Sequence, residues 1–170
     1  MDLESHIRTV EDFPEPGVLF RDITPLLASP EAVRHVLDEM ERGAHLLAPS
    51  GIVGIESRGF IFGMPLADRM RLPFVPVRKP GKLPAKRMSV EYSLEYGQSQ
   101  LDIHADALTR GDTALVVDDL LATGGTARAT AKLVELLGAT VVGFSFVIEL
   151  SGLGGRGALE GYRVSSLVVF

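Results

Sequence analysis

The run from Thr113 to Leu150 constrains the fold more than any other part of the chain. "TALVVDD" (113–119) is almost continuously apolar and ends in two adjacent carboxylates. "ATGGT" (122–126) follows, then the helical spacing of "TARATAKLVELLG" (126–138), stopped by Gly138, then the apolar "TVVGFSFVIEL" (140–150). A run with no polar alternation is what a strand shows when both its faces are buried, as in parallel sheets. Gly138 marks the helix end in the usual way.

The same rhythm holds elsewhere. "GIVGIES" (51–57), "PFVPVRK" (73–79) and "YRVSSLVVF" (162–170) read as further strands. "SPEAVRHVLDEMERGAHLL" from Ser29 reads as a helix, with Ser29 as N-cap, Pro30 at the first helical position and an apolar stripe of Val33, Val36, Leu37 and Met40. "RGFIFGMPLADRMR" (58–71) reads as a helix that Pro65 should disturb in its middle. Strands alternating with helices predict an α/β fold with a mostly parallel central sheet flanked by helices. At 170 residues, one domain is expected.

"PGKLPAKRMSVEYSLEYG" (80–97) breaks the rhythm. It has two prolines, a Lys/Arg cluster and no sustained period. A loop of that length in a compact domain is expected to be a lid or binding loop, with a floppy surface loop or an edge hairpin as the plainer alternatives.

The carboxylates and glycines of the first run carry the chemistry. A helix beginning after a strand offers unpaired N–H groups and a positive dipole end, which together suit an anion. Gly124 and Gly125 let the backbone approach a phosphate closely, and Thr123 and Thr126 add hydroxyl donors. The Walker pattern is absent, so a nucleoside triphosphate is not the natural ligand. Asp118 and Asp119 suit sugar hydroxyls and Mg²⁺. A phosphorylated ribose satisfies both halves.

Several function classes drop out. "GLGGRG" (152–157) matches a dinucleotide fingerprint, but neither the helix nor the acidic residue that must follow is present. His6, His35, His45 and His104 show no ligand spacing, and there is no cysteine for a thiolate site or disulfide. A formal net charge of −5 argues against nucleic acid or a membrane surface as partner. The N-terminal "MDLESHIRTVEDF" lacks an apolar signal core, so a cytoplasmic protein is expected.

With these pieces assembled, the chain resembles the adenine phosphoribosyltransferases of the type I phosphoribosyltransferase fold. "VVDDLLATGGTARA" (116–129) is similar to the signature for 5-phosphoribosyl-1-pyrophosphate. "FPEPGVLFRDITPLL" (13–27) looks like the base-binding segment and "GIESRGFIFG" (54–63) like the pyrophosphate turn. "VRKPGKLP" (77–84) and "YSLEYG" (92–97) look like the two halves of a mobile catalytic loop, and "VIELSGLGGRGAL" (147–159) like the C-terminal segment. The interior "AKRMSVE" matches least, and no role is carried onto it.

The resemblance implies one phosphoribosyltransferase domain over residues 1–170, with a base-binding hood over 1–30 and a mobile loop over 80–97. It implies transfer of the phosphoribosyl group to adenine, giving AMP and pyrophosphate, with Mg²⁺ held mainly through the substrate and Asp118 and Asp119 as candidate protein ligands. Ala122, Thr123, Gly124, Gly125 and Thr126 would hold the 5′-phosphate, and Asp118 and Asp119 would face the ribose. Ser57, Arg58, Lys79 and Lys82 would bind pyrophosphate. Leu19, Phe20 and Arg21 would form the adenine pocket, and Glu95 and Arg58 would be catalytic, Glu95 as general acid/base. A homodimer is also implied. Relatives that use xanthine, hypoxanthine or guanine share the phosphoribosyl motif but tend to lack the "FPEPGVLFRDI" and "LEYG" segments. Regulators of the same fold that sense the substrate need a DNA-binding region for which these residues leave no room.

Overall fold

The structure is a computed structural model, and it describes residues 1–94 and 97–170. Its elements in chain order are β1 (Arg8–Val10), β2 (Phe20–Asp22), α1 (Thr24–Leu27), α2 (Pro30–Leu47), β3 (Gly51–Ile55), α3 (Arg58–Met70), β4 (Phe74–Val77), β5 (Arg87–Leu94), β6 (Gly97–His104), β7 (Thr113–Leu121), α4 (Gly125–Leu136), β8 (Thr140–Glu149), α5 (Gly155–Ala158) and β9 (Val164–Val169). The central sheet runs β4-β3-β7-β8-β9 and every neighbouring pair is parallel. This is the predicted α/β architecture.

Two cores explain the apolar runs. Along β7, Ala114 and Val116 enter the core on the α4 side, while Leu115 and Val117 enter the core on the α2 and α3 side. β3 divides the same way, Val53 and Ile55 against Ile52. A strand covered on both faces has no position to spare for a polar residue.

The helix signals worked as capping chemistry. Ser29 Oγ accepts the Ala32 N–H at 3.2 Å, with Pro30 opening α2, and Val36, Leu37, Met40 and Ala44 turn inward. Pro65, however, does not break α3, which runs through it as one helix. Ile61, whose carbonyl the proline leaves without a partner, is on the exposed side, where water can take its place.

In the segment from Pro80, Arg87–Leu94 is a strand, which is the plainer hairpin alternative and not a loop along its whole length. It pairs antiparallel with β6, from Arg87 opposite His104 onward. Met88, Val90 and Tyr92 pack on the α4-side core while Arg87, Ser89 and Glu91 are exposed. That is strict period two, obscured in the sequence by flanking lysines and arginines. Backbone hydrogen bonds between Arg78 and Asp102, at 2.9 and 2.7 Å, fasten β6 to the chain just beyond β4.

Connectivity fixes where a ligand can sit. The crossover through α3 carries β3 outward to the edge strand β4, whereas the crossover through α4 carries β7 the opposite way to β8. Strand order therefore reverses between β3 and β7, and their carboxyl ends open the crevice typical of such a switch point.

Candidate active site

A cavity of about 500 Å³ lies at this switch point. Glu56, Ser57 and Arg58 reach it from the end of β3, and Asp118 through Ala127 from the end of β7 and the start of α4. Lys79, Tyr92, Ser99, Leu101 and Phe146 complete the lining.

The Ala122–Thr126 turn sits where the strand β7 gives way to the helix α4. Gly124 is in the left-handed region at φ +83° and starts α4. The amides of the first turn have no partner within the helix and lie at its positive end. Close packing holds this turn in place. A Cβ on Gly124 would sit 2.7 Å from the Gly155 carbonyl oxygen, and one on Gly155 would collide with the carbonyl oxygen of Ala122. The "GLGGRG" stretch is thus a buttress under the Ala122–Thr126 turn, and Gly155 allows that approach. Arg156 in the same stretch is anchored to Glu149 by paired 2.8 Å hydrogen bonds.

The carboxylates are deeply placed. Asp119 is 2% exposed. Asp118 Oδ1 accepts the Asp119 N–H at 2.9 Å. A Cβ on Gly59 would lie 2.6 Å from the Val117 carbonyl oxygen and 3.0 Å from Asp118 Oδ1, so the first turn of α3 seats directly on the end of β7. Burial pushes the Asp118 carboxyl well above the ordinary range, and the neighbouring Asp119 charge pushes it further. Burial also raises Asp119, against the pull of Arg58. Arg58 Nε stands 3.0 Å from Asp119 Oδ2, close enough for an ion pair but without hydrogen-bond alignment, so that buried oxygen keeps an unused lone pair.

Glu56 organises the basic side. It is a buried carboxylate that accepts from Arg78 Nε at 3.1 Å, the Lys79 N–H at 3.0 Å and Lys82 Nζ at 2.5 Å. Burial acts to raise its pKa, but Lys82, the Lys79 amide and Arg78 outweigh that and lower it. Lys79 is left facing the cavity, whereas Lys82 is committed to Glu56 and does not line it.

On the N-terminal side the expected base-binding residues diverge. Phe20 lies 5.7 Å from the Arg58 guanidinium and edge-on to Phe13 at 5.1 Å. Leu19 is exposed. Arg21 turns elsewhere, 3.8 Å over the Phe170 ring and hydrogen-bonded to Thr9. None of the three lines the cavity. Glu95 lies outside the described residues.

Sequence reasoning found Ser57, Arg58, Lys79, Asp118, Asp119 and the whole Ala122–Thr126 turn, and the fold brings these together. It gave no role to Tyr92, Ser99, Leu101 or Phe146, which come from distant strands. Only the alternation of Met88, Val90 and Tyr92 could have signalled that Tyr92 faces inward.

The family model of the phosphoribosyl transferase domain matches residues 27–162. The adenine phosphoribosyltransferase of Synechococcus sp. (strain CC9605) is 62% identical over 99% of this chain and 98% of its own length. The chain belongs to the adenine phosphoribosyltransferase family. As a member of that family it is a transferase enzyme. Its fold is similar to the crystal structure of the adenine phosphoribosyltransferase of Thermoanaerobacter pseudethanolicus, with a TM-score of 0.97 at 47% identity, covering 99% of this chain and 98% of that one. The Saccharomyces cerevisiae adenine phosphoribosyltransferase, in complex with D-2,5-dideoxy-2,5-imino-altritol 1,6-bisphosphate and adenine, matches with a TM-score of 0.91 at 38% identity, covering 98% of this chain and 96% of that one.

The family's metal can be tested against the residues present. Among the described residues no cluster of three or more His, Asp or Glu forms a ready-made cation site. The Asp118–Asp119 pair, whose Asp119 Oδ2 has an ion-pair neighbour but no hydrogen bond, offers the one or two hard oxygen donors that Mg²⁺ takes when substrate supplies the rest. The donor set fits Mg²⁺ shared with the substrate.

Proposed function

We infer that this chain transfers the phosphoribosyl group of 5-phosphoribosyl-1-pyrophosphate to adenine, releasing pyrophosphate and leaving AMP. One observation carries the reading. The Asp118–Asp119 pair, with Asp119 buried, and the Ala122–Thr126 anion turn share a single cavity with Arg58 and Lys79, at the switch point of a parallel sheet. That is the outline of a ribose with a phosphate at one end and a diphosphate at the other.

In this reading the Ala122–Thr126 amides and hydroxyls take the 5′-phosphate, and Asp118 and Asp119 accept from the ribose hydroxyls. Breaking the bond from the anomeric carbon to the pyrophosphate oxygen builds positive charge on the sugar and negative charge on the leaving group. Arg58 and Lys79 face the cavity where that negative charge develops, with the Ser57 turn beside them. Mg²⁺ would supply further charge neutralisation there, with Asp118 and Asp119 as the protein's candidate ligands. Adenine attacks through a ring nitrogen and must shed that nitrogen's proton. Glu95 is assigned to accept it, and Leu19, Phe20 and Arg21 to hold the base, on the family resemblance. Phe20 supports its part of this assignment by adjoining Arg58.

We also assign the chain to the cytoplasm and to a homodimer. No helix among the described residues is long and apolar enough to cross a membrane. Ile61 and Met64 stand exposed on α3, apolar surface that a second copy would cover.

The test is to supply Mg²⁺ and 5-phosphoribosyl-1-pyrophosphate with adenine, guanine, hypoxanthine, xanthine, uracil or orotate in turn. AMP from adenine, with little product from the others, is expected. Product from another base in the absence of AMP overturns the substrate assignment. Glu95→Gln should lower kcat far more than it weakens binding of the phosphoribosyl substrate, and equal losses would make Glu95 a binding residue instead.

A further inference from the structure

We propose that Tyr92 is a positioning residue for the 5′-phosphate, acting through the hydroxyl of Thr126. The inference rests on reading Ala122–Thr126 as the 5′-phosphate subsite.

Tyr92 Oη lies 3.2 Å from Thr126 Oγ1 in a partly buried setting. The two residues come from different elements, Tyr92 from β5 and Thr126 from the first turn of α4. Both line the cavity described above. Tyr92 also lines a second cavity of about 820 Å³, with Arg128 and Lys132 of α4 and Glu91 of β5. Tyr92 thus borders both spaces, as Thr123 and Gly125 do, and its hydroxyl is the part that meets the Ala122–Thr126 turn.

The direction of the hydrogen bond follows from proton count. A threonine hydroxyl carries one proton. With a phosphate in the turn, Thr126 gives that proton to a phosphate oxygen, and Tyr92 must then be the donor to Thr126. The result is a chain from phenol to hydroxyl to phosphate, in which each bond polarises the next. Without the phenol, the Thr126 hydroxyl is free to rotate away from the anion. Tyr92 thus presents Thr126 to the 5′-phosphate and ties β5 to the occupied turn.

Tyr92→Phe isolates the hydroxyl, because the ring remains. Calorimetry would use ribose 5-phosphate and inorganic pyrophosphate as separate probes, on wild type, Tyr92→Phe, Thr126→Ala and the double variant. Ribose 5-phosphate should bind Tyr92→Phe roughly three- to tenfold more weakly, the size of one neutral hydrogen bond. Pyrophosphate affinity should not change. In the Thr126→Ala background, Tyr92→Phe should add nothing, since the two residues act as one unit. In turnover, KM for the phosphoribosyl substrate should rise by the same factor while kcat holds. Equal loss for both probes would show a general loosening, and additive losses in the double variant would show that Tyr92 does not act through Thr126. Either result, or no loss at all, overturns the proposal. If wild type itself fails to bind ribose 5-phosphate, the subsite reading falls first and takes this inference with it.

Discussion

Arg58 Nε lies 3.0 Å from Asp119 Oδ2, so a residue assigned to the leaving pyrophosphate is paired with one assigned to the ribose. The same guanidinium lies 5.7 Å from the Phe20 ring. One side chain, itself proposed for the leaving group, therefore adjoins the residues proposed for the sugar side and the base side. It sits in the first turn of α3, which is the wrong end of a helix for a cation. Asp119 compensates in the free protein, and an anionic ligand would take over that role in the complex.

Replacing Arg58 by Gln should therefore reduce kcat by roughly 10²- to 10³-fold, the usual cost of removing a preorganised donor from developing negative charge. Pyrophosphate binding, measured directly by calorimetry, should weaken as well. Ribose 5-phosphate should bind nearly as before. Unchanged turnover would remove Arg58 from the catalytic assignment.

The two aspartates proposed for the ribose carry a cost to folding. Both carboxyls are raised above their ordinary values, chiefly by burial. A carboxyl with a higher pKa folded than unfolded holds its proton more tightly in the folded chain. Stability therefore falls as pH rises from the unfolded value through the raised folded value. Asp118→Asn removes that penalty. Its Tm should exceed that of wild type at pH 8, and the gain should shrink toward pH 4, where both forms are neutral at this position. Affinity for the phosphoribosyl substrate should fall in the same variant. A lower Tm at pH 8 would show that other contacts compensate the buried charge.

Much of this site was legible because its parts are local in sequence. The strand, carboxylates, glycines and helix of 116–129 are contiguous, and each has a distinct physical signature. What stayed hidden is non-local. Tyr92 enters the cavity because β5 packs on α4, which no spacing in the chain announces. Gly155 is tied to Ala122 across more than thirty positions, and only the fold shows why it must be glycine. Arg21 points away from the cavity because Thr9 and Phe170, at opposite ends of the chain, capture its side chain. The prolines and basic residues around 80–87 suggested a loop, yet Met88, Val90 and Tyr92 find a core to pack on, and burial overrides local composition.

The buttress under the phosphate turn makes a prediction far from the motif. A Cβ on Gly155 would collide with the Ala122 carbonyl oxygen and come 2.8 Å from the Leu121 side chain. Backbone cannot yield as a flexible side chain can, so Gly155→Ala must shift the turn. KM for the phosphoribosyl substrate should rise roughly 10- to 100-fold, as misplaced binding groups typically cause. Gly157→Ala is the matched control, because a Cβ there meets nothing within 4 Å. It should be neutral or stabilising by up to about 1 kcal/mol. Similar kinetics for the two variants would remove the buttress.

Glu56 gives the last prediction, and it separates charge from shape. Its carboxylate receives the Lys79 N–H, Arg78 and Lys82, and its pKa is lowered by these donors despite burial. A lowered carboxyl contributes stability above the unfolded pKa and loses it as pH falls through the folded value. Glu56→Ala strands these donors and should destabilise the protein by about 1–3 kcal/mol, less than a fully buried pair because the lysine is half exposed. Glu56→Gln keeps an acceptor for the Lys79 N–H, so it should lose less stability and largely retain Lys79 in the cavity. Urea denaturation at pH 7 and pH 4 reads both effects, and the gap between wild type and Glu56→Gln should narrow at the lower pH. Pyrophosphate affinity should follow the position of Lys79, falling in Glu56→Ala and largely surviving in Glu56→Gln. If both variants lose affinity equally, the charge of Glu56, and not its hold on the Lys79 backbone, is what the site requires.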